Sequence, residues 1–115
     1  MAPKINSRQK GASFERWVAN WFKTNWGCET RRGQQFACGP ESPDVVGLAG
    51  IHIEVKAVEK LQMQKAMDQS VRDAGDKVPI VISQKNRKEP MVTVRLRDLD
   101  DFIRLMDLNK RVADA

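Results

Sequence analysis

Three residues of this chain can do metal-assisted phosphate chemistry if folding brings them together: Asp44, preceded by Pro43, then Glu54 ten positions later, and Lys56 two beyond it. Two carboxylates side by side make an oxygen-rich site for a hard divalent cation such as Mg²⁺, which favours an octahedral shell and keeps several waters for chemistry. A lysine beside them can handle a proton or offset charge. In a strand alternate side chains share a face, so Glu54 and Lys56 point one way while Ile53 and Val55 point the other. Charged residues on a half-exposed strand are usually just solvated, and the chemical reading therefore depends on whether Asp44 joins them.

Asp44 must reach that face from the preceding strand. The segments Val45 to Leu48 and Ile51 to Lys56 read as a hairpin turning at Ala49-Gly50. A two-residue loop would pair Asp44 with Val55 and turn the aspartate to the wrong face. An odd loop or a bulge near Gly47 to Gly50 is expected instead, and a three-residue loop is expected to set Asp44 opposite Lys56.

The elements that must position these residues follow from periodicity. A helix is predicted from Ser7 to Asn25, with Phe14, Trp17, Val18, Trp21 and Phe22 as one buried stripe, Glu15 on its border and Gly27 ending it. Trp26 falls outside the stripe and reads as a packing or interface residue. Glu29 to Phe36 reads as a first strand entering a polar loop, Gly33 to Ser42, long enough to follow a phosphate backbone. After the hairpin comes a helix over Leu61 to Ala74, then a buried strand Val78 to Ile82 with Pro79 near its start. Met91 to Arg97 alternates as a strand with Val92, Val94 and Leu96 inward, and Asp98 is placed to cap a last helix built on Leu99, Phe102, Ile103 and Met106. The expected order is α-β-β-β-α-β-β-α, an α/β domain with a mixed sheet and the site at the sheet's edge. A single domain spanning 1–115 is expected, with residues 1–6 as a flexible arm and 110–115 as a frayed tail.

Charge is unevenly spread. The formal charge of +5 lies entirely in residues 1–40, which carry seven basic side chains against two acidic ones, whereas the remainder is balanced. That excess points to a polyanion-facing surface, and Arg8, Lys10, Arg31 and Arg32, with Lys85, Arg87 and Lys88 in the second basic turn, are the candidate DNA-binding residues. Cys28 and Cys38 have no zinc-ligand spacing and read as reduced thiols. His52, the one histidine, shares strand parity with Glu54 but reads as an exposed residue without a role. No apolar run reaches membrane-spanning length and no signal-peptide pattern opens the chain, so no membrane partner and a soluble, cytoplasmic protein are expected; the family resemblance given below implies a bacterial or phage-infected cell.

Lys10-Gly11-Ala-Ser-Phe14-Glu15-Arg16 opening a helix, then Ser42-Pro43-Asp44, then Ile53-Glu54-Val55-Lys56 and a following helix, together resemble the PD-(D/E)XK nuclease superfamily, and within it the Holliday junction resolvases of archaeal and phage type. The resemblance covers roughly residues 8–105. It implies a restriction-endonuclease-like fold and a catalytic set of Glu15, Asp44, Glu54 and Lys56. Asp44, Glu54 and the backbone carbonyl of Val55 would hold Mg²⁺, or Mn²⁺ in its place, with Glu15 contributing through water and Gln69 in a supporting role. It also implies a homodimer that nicks opposing strands of branched DNA. The segment 33–42 is only loosely similar to the corresponding loop of the family, which leaves substrate choice less fixed than chemistry. Two other functions remain open: a less selective nuclease acting on flaps, ends or single strands, and a non-catalytic nucleic-acid-binding module. The last gains nothing from carboxylates set beside phosphate, where they repel.

Overall fold

The computed structural model describes residues 7–33 and 43–114. The expected arm, Cys38 and the loop beyond Gly33 lie outside them. Helix α1 (Ser7–Trp26) leads to β1 (Arg31–Arg32), β2 (Val45–Val46) and β3 (Ile51–Lys56); helix α2 (Met63–Ala74) leads to β4 (Val78–Ser83) and β5 (Met91–Val94); a 3-10 turn at Leu96–Asp98 enters helix α3 (Leu99–Asp114). The strands form one mixed sheet in the order β1-β2-β3-β4-β5, antiparallel except for the β3–β4 pair. Parallel neighbours need a long crossover, which α2 supplies. This is the expected α/β order, consistent with a restriction-endonuclease-like fold.

Strand alternation divides the molecule into two layers of different chemistry. Ile51, Ile53 and Val55 of β3, with Val78, Ile80 and Ile82 of β4, pack with Phe14, Val18 and Phe22 of α1 and Met106 of α3 in the main core. The opposite face meets α2, where Ala66 and Met67 cover Val81 and Ser70 Oγ donates to the Ile80 carbonyl at 3.0 Å. That opposite face also carries His52, Glu54 and Lys56. Because β3 is the central strand, the candidate residues lie in the middle of the sheet and not at its edge.

Several expectations shift. The buried face of α1 is Phe14, Glu15, Val18, Ala19 and Phe22, while Trp17 and Trp21 remain 48% and 41% exposed. At about 100° per residue Glu15 lies between Phe22 and Ala19, near the centre of that face. The large indoles drew the expected stripe too far toward their own side. The strand expected from Met91 to Arg97 stops at Val94, because Arg95 and Asp98 pair at 2.7 Å and the chain turns there; Leu96 is 86% exposed and Val92 is also largely exposed. The Asp98 carboxylate is thereby spent on Arg95 instead of capping α3.

The last helix runs to Asp114. Three contacts hold it: Asn109 clips Ala49 in the β2–β3 turn, accepting from its N–H at 2.9 Å and donating to its carbonyl at 3.1 Å; Lys110 lies over the Trp26 ring; Leu105 packs where Gly50 has no side chain. Trp26 thus serves in packing, against the core and under Lys110. Among the described residues no helix is long and apolar enough to cross a membrane.

Two glycines carry opposite expectations. Gly47 has φ +116° and a Cβ there would meet the backbone of Glu29 and Thr30, so Gly47→Ala should lower Tm by roughly 8 °C or more, from a cost above ~2 kcal/mol. Gly11 lies in α1 with nothing within 4 Å of an added Cβ, so Gly11→Ala should raise stability by ~0.5–1 kcal/mol. Thermal melts of the two variants check both.

Candidate active site

The hairpin places Asp44. Val45 pairs with Ile53, a register that encloses Leu48, Ala49 and Gly50 in a three-residue loop, with Ile51 N–H donating to the Leu48 carbonyl at 3.3 Å. The odd loop is as expected, but its position is not. Continuing the Val45–Ile53 register sets Asp44 level with Glu54, two residues short of Lys56. The slip preserves parity, so Asp44 still belongs to the Glu54 face. Its backbone N–H donates to the Ile53 carbonyl at 3.0 Å, and its Oδ2 accepts the Val55 N–H at 2.8 Å. On the other side Gly33 N–H donates to the Asp44 carbonyl at 2.9 Å, an approach so close that any Cβ on Gly33 would overlap the Pro43 carbonyl.

Glu54 is 4% exposed, and a carboxylate taken that far from water needs compensating partners. Its strand neighbours supply them. His52 Nε2 lies 3.2 Å from Oε1 and Lys56 Nζ 3.8 Å from Oε2. Lys56 in turn donates to Gln69 Oε1 on α2 at 3.2 Å. One turn further along α2, the Asp73 carboxylate has an oxygen that, with a His52 ring nitrogen and a Glu54 oxygen, forms a group within 4.8 Å of one another. His52 is buried, not exposed as its polar type suggested, because α2 roofs this face of β3. Strand parity with Glu54 was its signal; for Asp73 the signal was the i, i+4 relation to Gln69 on one helix face.

Glu15 is buried and accepts from Arg32 Nε on β1 at 2.5 Å. Thr30 Oγ1 donates to the Ala19 carbonyl at 2.6 Å and fixes β1 against α1 beside this pair. The charge of Glu15 reaches Asp44. Burial first, then the Glu54 charge, push the Asp44 carboxyl up to about 6; Glu15 adds to the rise, while the Val55 N–H and Lys56 oppose it. Glu15, Asp44, Glu54 and Lys56 are thus brought into one neighbourhood from three elements, with Val55 in it through its backbone.

These residues fit a hard divalent cation. The Glu54 charge and, more weakly, that of Glu15 act on Asp44, the Lys56 charge beside them does not return Asp44 to the ordinary range, and the carboxylate donors are oxygens.

The basic residues fall into two groups. Lys10 and Lys88 line one cleft with Ser13, Gln84 and Ala57, the residue that follows Lys56. Lys85 and Arg87 are exposed in the same β4–β5 turn, tied down by Asn86 N–H donating to Glu59 Oε2 at 2.9 Å. Arg31 is exposed on β1, whereas Arg32 is engaged by Glu15. Arg8 belongs to the first turn of α1, and its side chain lies outside what the structure describes.

Residues 6–113 match the model of a family described as "phage putative PDDEXK endonuclease". No curated protein and no solved structure matches the chain. The match spans nearly the whole sequence and includes the hairpin, the central strand and all four converging side chains; the chain belongs to this phage PDDEXK endonuclease family.

Proposed function

We propose that this protein is a Mg²⁺-dependent DNA endonuclease that acts on branched DNA, nicking opposing strands of four-way junctions as a homodimer. The observation that carries the chemistry is the pairing of Asp44 with Glu54 on β3, where burial and then the Glu54 charge raise the Asp44 carboxyl to about 6 despite Lys56. Asp44, Glu54 and the Val55 carbonyl would hold the cation, with Glu15 reached through water. A divalent cation there supplies Lewis-acid polarisation of the phosphate and a more acidic bound water.

The chain's own residues do the rest. Lys56, steadied by Gln69 and Glu54, presents its ammonium toward the reacting phosphate, where it orients water or offsets charge developing in the transition state. Lys10 and Lys88 hold backbone phosphates in the cleft beside Ala57, with Lys85, Arg87 and Arg31 extending the contact. Such contacts follow shape without reading bases and weaken steeply with salt. Junction preference rests on the resemblance in the Lys10–Arg16 and Ser42–Lys56 motifs.

The homodimer reading draws on one apolar groove. Trp17 and Trp21 of α1, Met91 and Val92 of β5 and Ile103 of α3 line it, and β5 is an unpaired edge of the sheet. A two-fold axis would join this patch to its own copy and give the two sites that paired nicks require.

Cleavage of a labelled four-way junction, a matched duplex and splayed arms, with Mg²⁺ or chelator, tests the function. Paired symmetric nicks confined to the junction are expected. Equal cleavage of all substrates would overturn the junction preference, and binding without cleavage would overturn the endonuclease reading. Met91→Glu with Ile103→Glu should give a monomer by light scattering and lose paired nicking; an unchanged mass would exclude this groove as the interface.

Asp44→Asn should reduce cleavage by about 10²-fold or more yet stabilise the metal-free protein at pH 8. Between the unfolded value of 3.8 and the folded value of about 6, the folded state keeps a proton that the unfolded chain has lost. Metal-free wild-type stability therefore falls as pH rises through that window and stays lower above it. Asparagine still accepts from Val55 without the charge, so the variant should melt higher by roughly 4 °C or more at pH 8 and lack that pH slope. Saturating Mg²⁺ should raise the wild-type melting temperature and leave the variant nearly unmoved.

A further inference from the structure

We infer that His52 is a positioning residue for Glu54: its Nε2–H holds Oε1, so that Oε2 is the oxygen kept toward Lys56 and the cation. This deepens, and rests on, the endonuclease reading. The geometry carries it. His52 and Glu54 are two apart on one strand face, their side chains are 3% and 5% exposed, and Nε2 and Oε1 lie 3.2 Å apart. An ionised carboxylate only accepts, so in this contact the ring nitrogen must donate.

Glu54 is otherwise free to turn about its last torsion, which for a glutamate is broad and roughly two-fold. Lys56 restrains that rotation only weakly: at 3.8 Å from Oε2 it is an ion pair rather than a hydrogen bond, and one of its N–H donors is taken by Gln69 at 3.2 Å. The imidazole is rigid and buried under α2, and its strand position is fixed by the β3–β4 ladder, in which His52 pairs with Pro79. Partners of this kind behind a ligating group tune metal affinity by about 10- to 100-fold. Asp73, whose oxygen lies within 4.8 Å of both His52 and Glu54, is a second acidic group at the back of the same cluster. The imidazole is the one nitrogen donor of that three-residue cluster, and removing it would leave the Glu54 and Asp73 carboxylates close together without it.

The test uses the full chain. The protein has one histidine, so its ring nitrogens give a single unambiguous set of ¹⁵N resonances. In the metal-free protein these should show a proton on Nε2; a neutral ring protonated on Nδ1 alone would overturn the inference without any variant being made. Calorimetric Mn²⁺ titration, without DNA, of wild type, His52→Gln and His52→Leu then reads positioning directly. Leucine fills space without a donor and should weaken Mn²⁺ binding by about 10-fold or more, whereas glutamine places an N–H near the Nε2 position and should restore affinity to within roughly 3-fold. In cleavage assays the leucine variant should need correspondingly more metal for half-maximal rate, with kcat at saturating metal changed much less. Equal affinities in all three proteins, or equal losses in both variants, would overturn the positioning role. A wild type that binds Mn²⁺ in a His52-dependent way but cuts no DNA would instead overturn the endonuclease reading and leave the His52–Glu54 contact standing.

Discussion

Like charges gathered at the end of β3 set the terms for the rest of this structure. Asp44, Glu54 and Glu15 are each largely withdrawn from water, and each would be costly alone. The fold answers with separate partners: the Val55 N–H for Asp44, Arg32 for Glu15, and His52 with Lys56 for Glu54. For Asp44 the compensation is incomplete, as its raised carboxyl shows. A site satisfied internally would have no affinity left for a cation, so incomplete compensation is the condition under which these residues can act.

Strand alternation makes that condition affordable. Odd-numbered residues of β3 commit Ile51, Ile53 and Val55 to the main core, with Ile53 fully buried, and so fix the even-numbered face in depth and direction. Helix α2 then covers the even face with Gln69 and Asp73, one turn apart, while α1 brings Glu15 from beyond the other side. Even remote parts serve this arrangement. Asn109, far along α3, clasps Ala49 in the loop whose register decides which face Asp44 takes.

Much of this was legible in the sequence because it depends on periodicity. Period-two alternation identifies Glu54 and Lys56 as a unit, and the parity argument requires an odd loop before any contact is known. Element order follows from the same local patterns, whereas the family resemblance rests on the Lys10–Arg16, Ser42–Asp44 and Ile53–Lys56 motifs. Quantities set by tertiary packing were not legible. The loop is odd but displaced, because Gly47 and Gly33 are held against β1 and the Pro43-Asp44 backbone at close range, a contact between segments far apart in sequence. The tryptophans mis-centred α1 because size is not burial: the groove beside β5 leaves them half covered. His52 read as exposed because a polar type on a strand says nothing of the helix above it. Arg32 read as a phosphate contact because its partner, Glu15, lies on another element.

The signs of charge also constrain the order in which the proposed reaction can assemble. Lys10 and Lys88 stand at the rim of the cleft beside Ala57, the residue after Lys56, with Glu89 also lining it, and the acids of the proposed site lie on and beside β3. A DNA backbone drawn in by the rim meets carboxylates next, and two unit charges 4 Å apart interact by about 4 kcal/mol at an effective dielectric near 20. Lys56 alone, already shared between Gln69 and Glu54, cannot reverse that repulsion. On the proposed function, then, a divalent cation is needed to bring phosphate to the acids as well as to activate it there. On that same proposal the rim lysines would hold DNA without metal, and the scissile group would come to rest beside Lys56 only after the carboxylates had been charge-balanced.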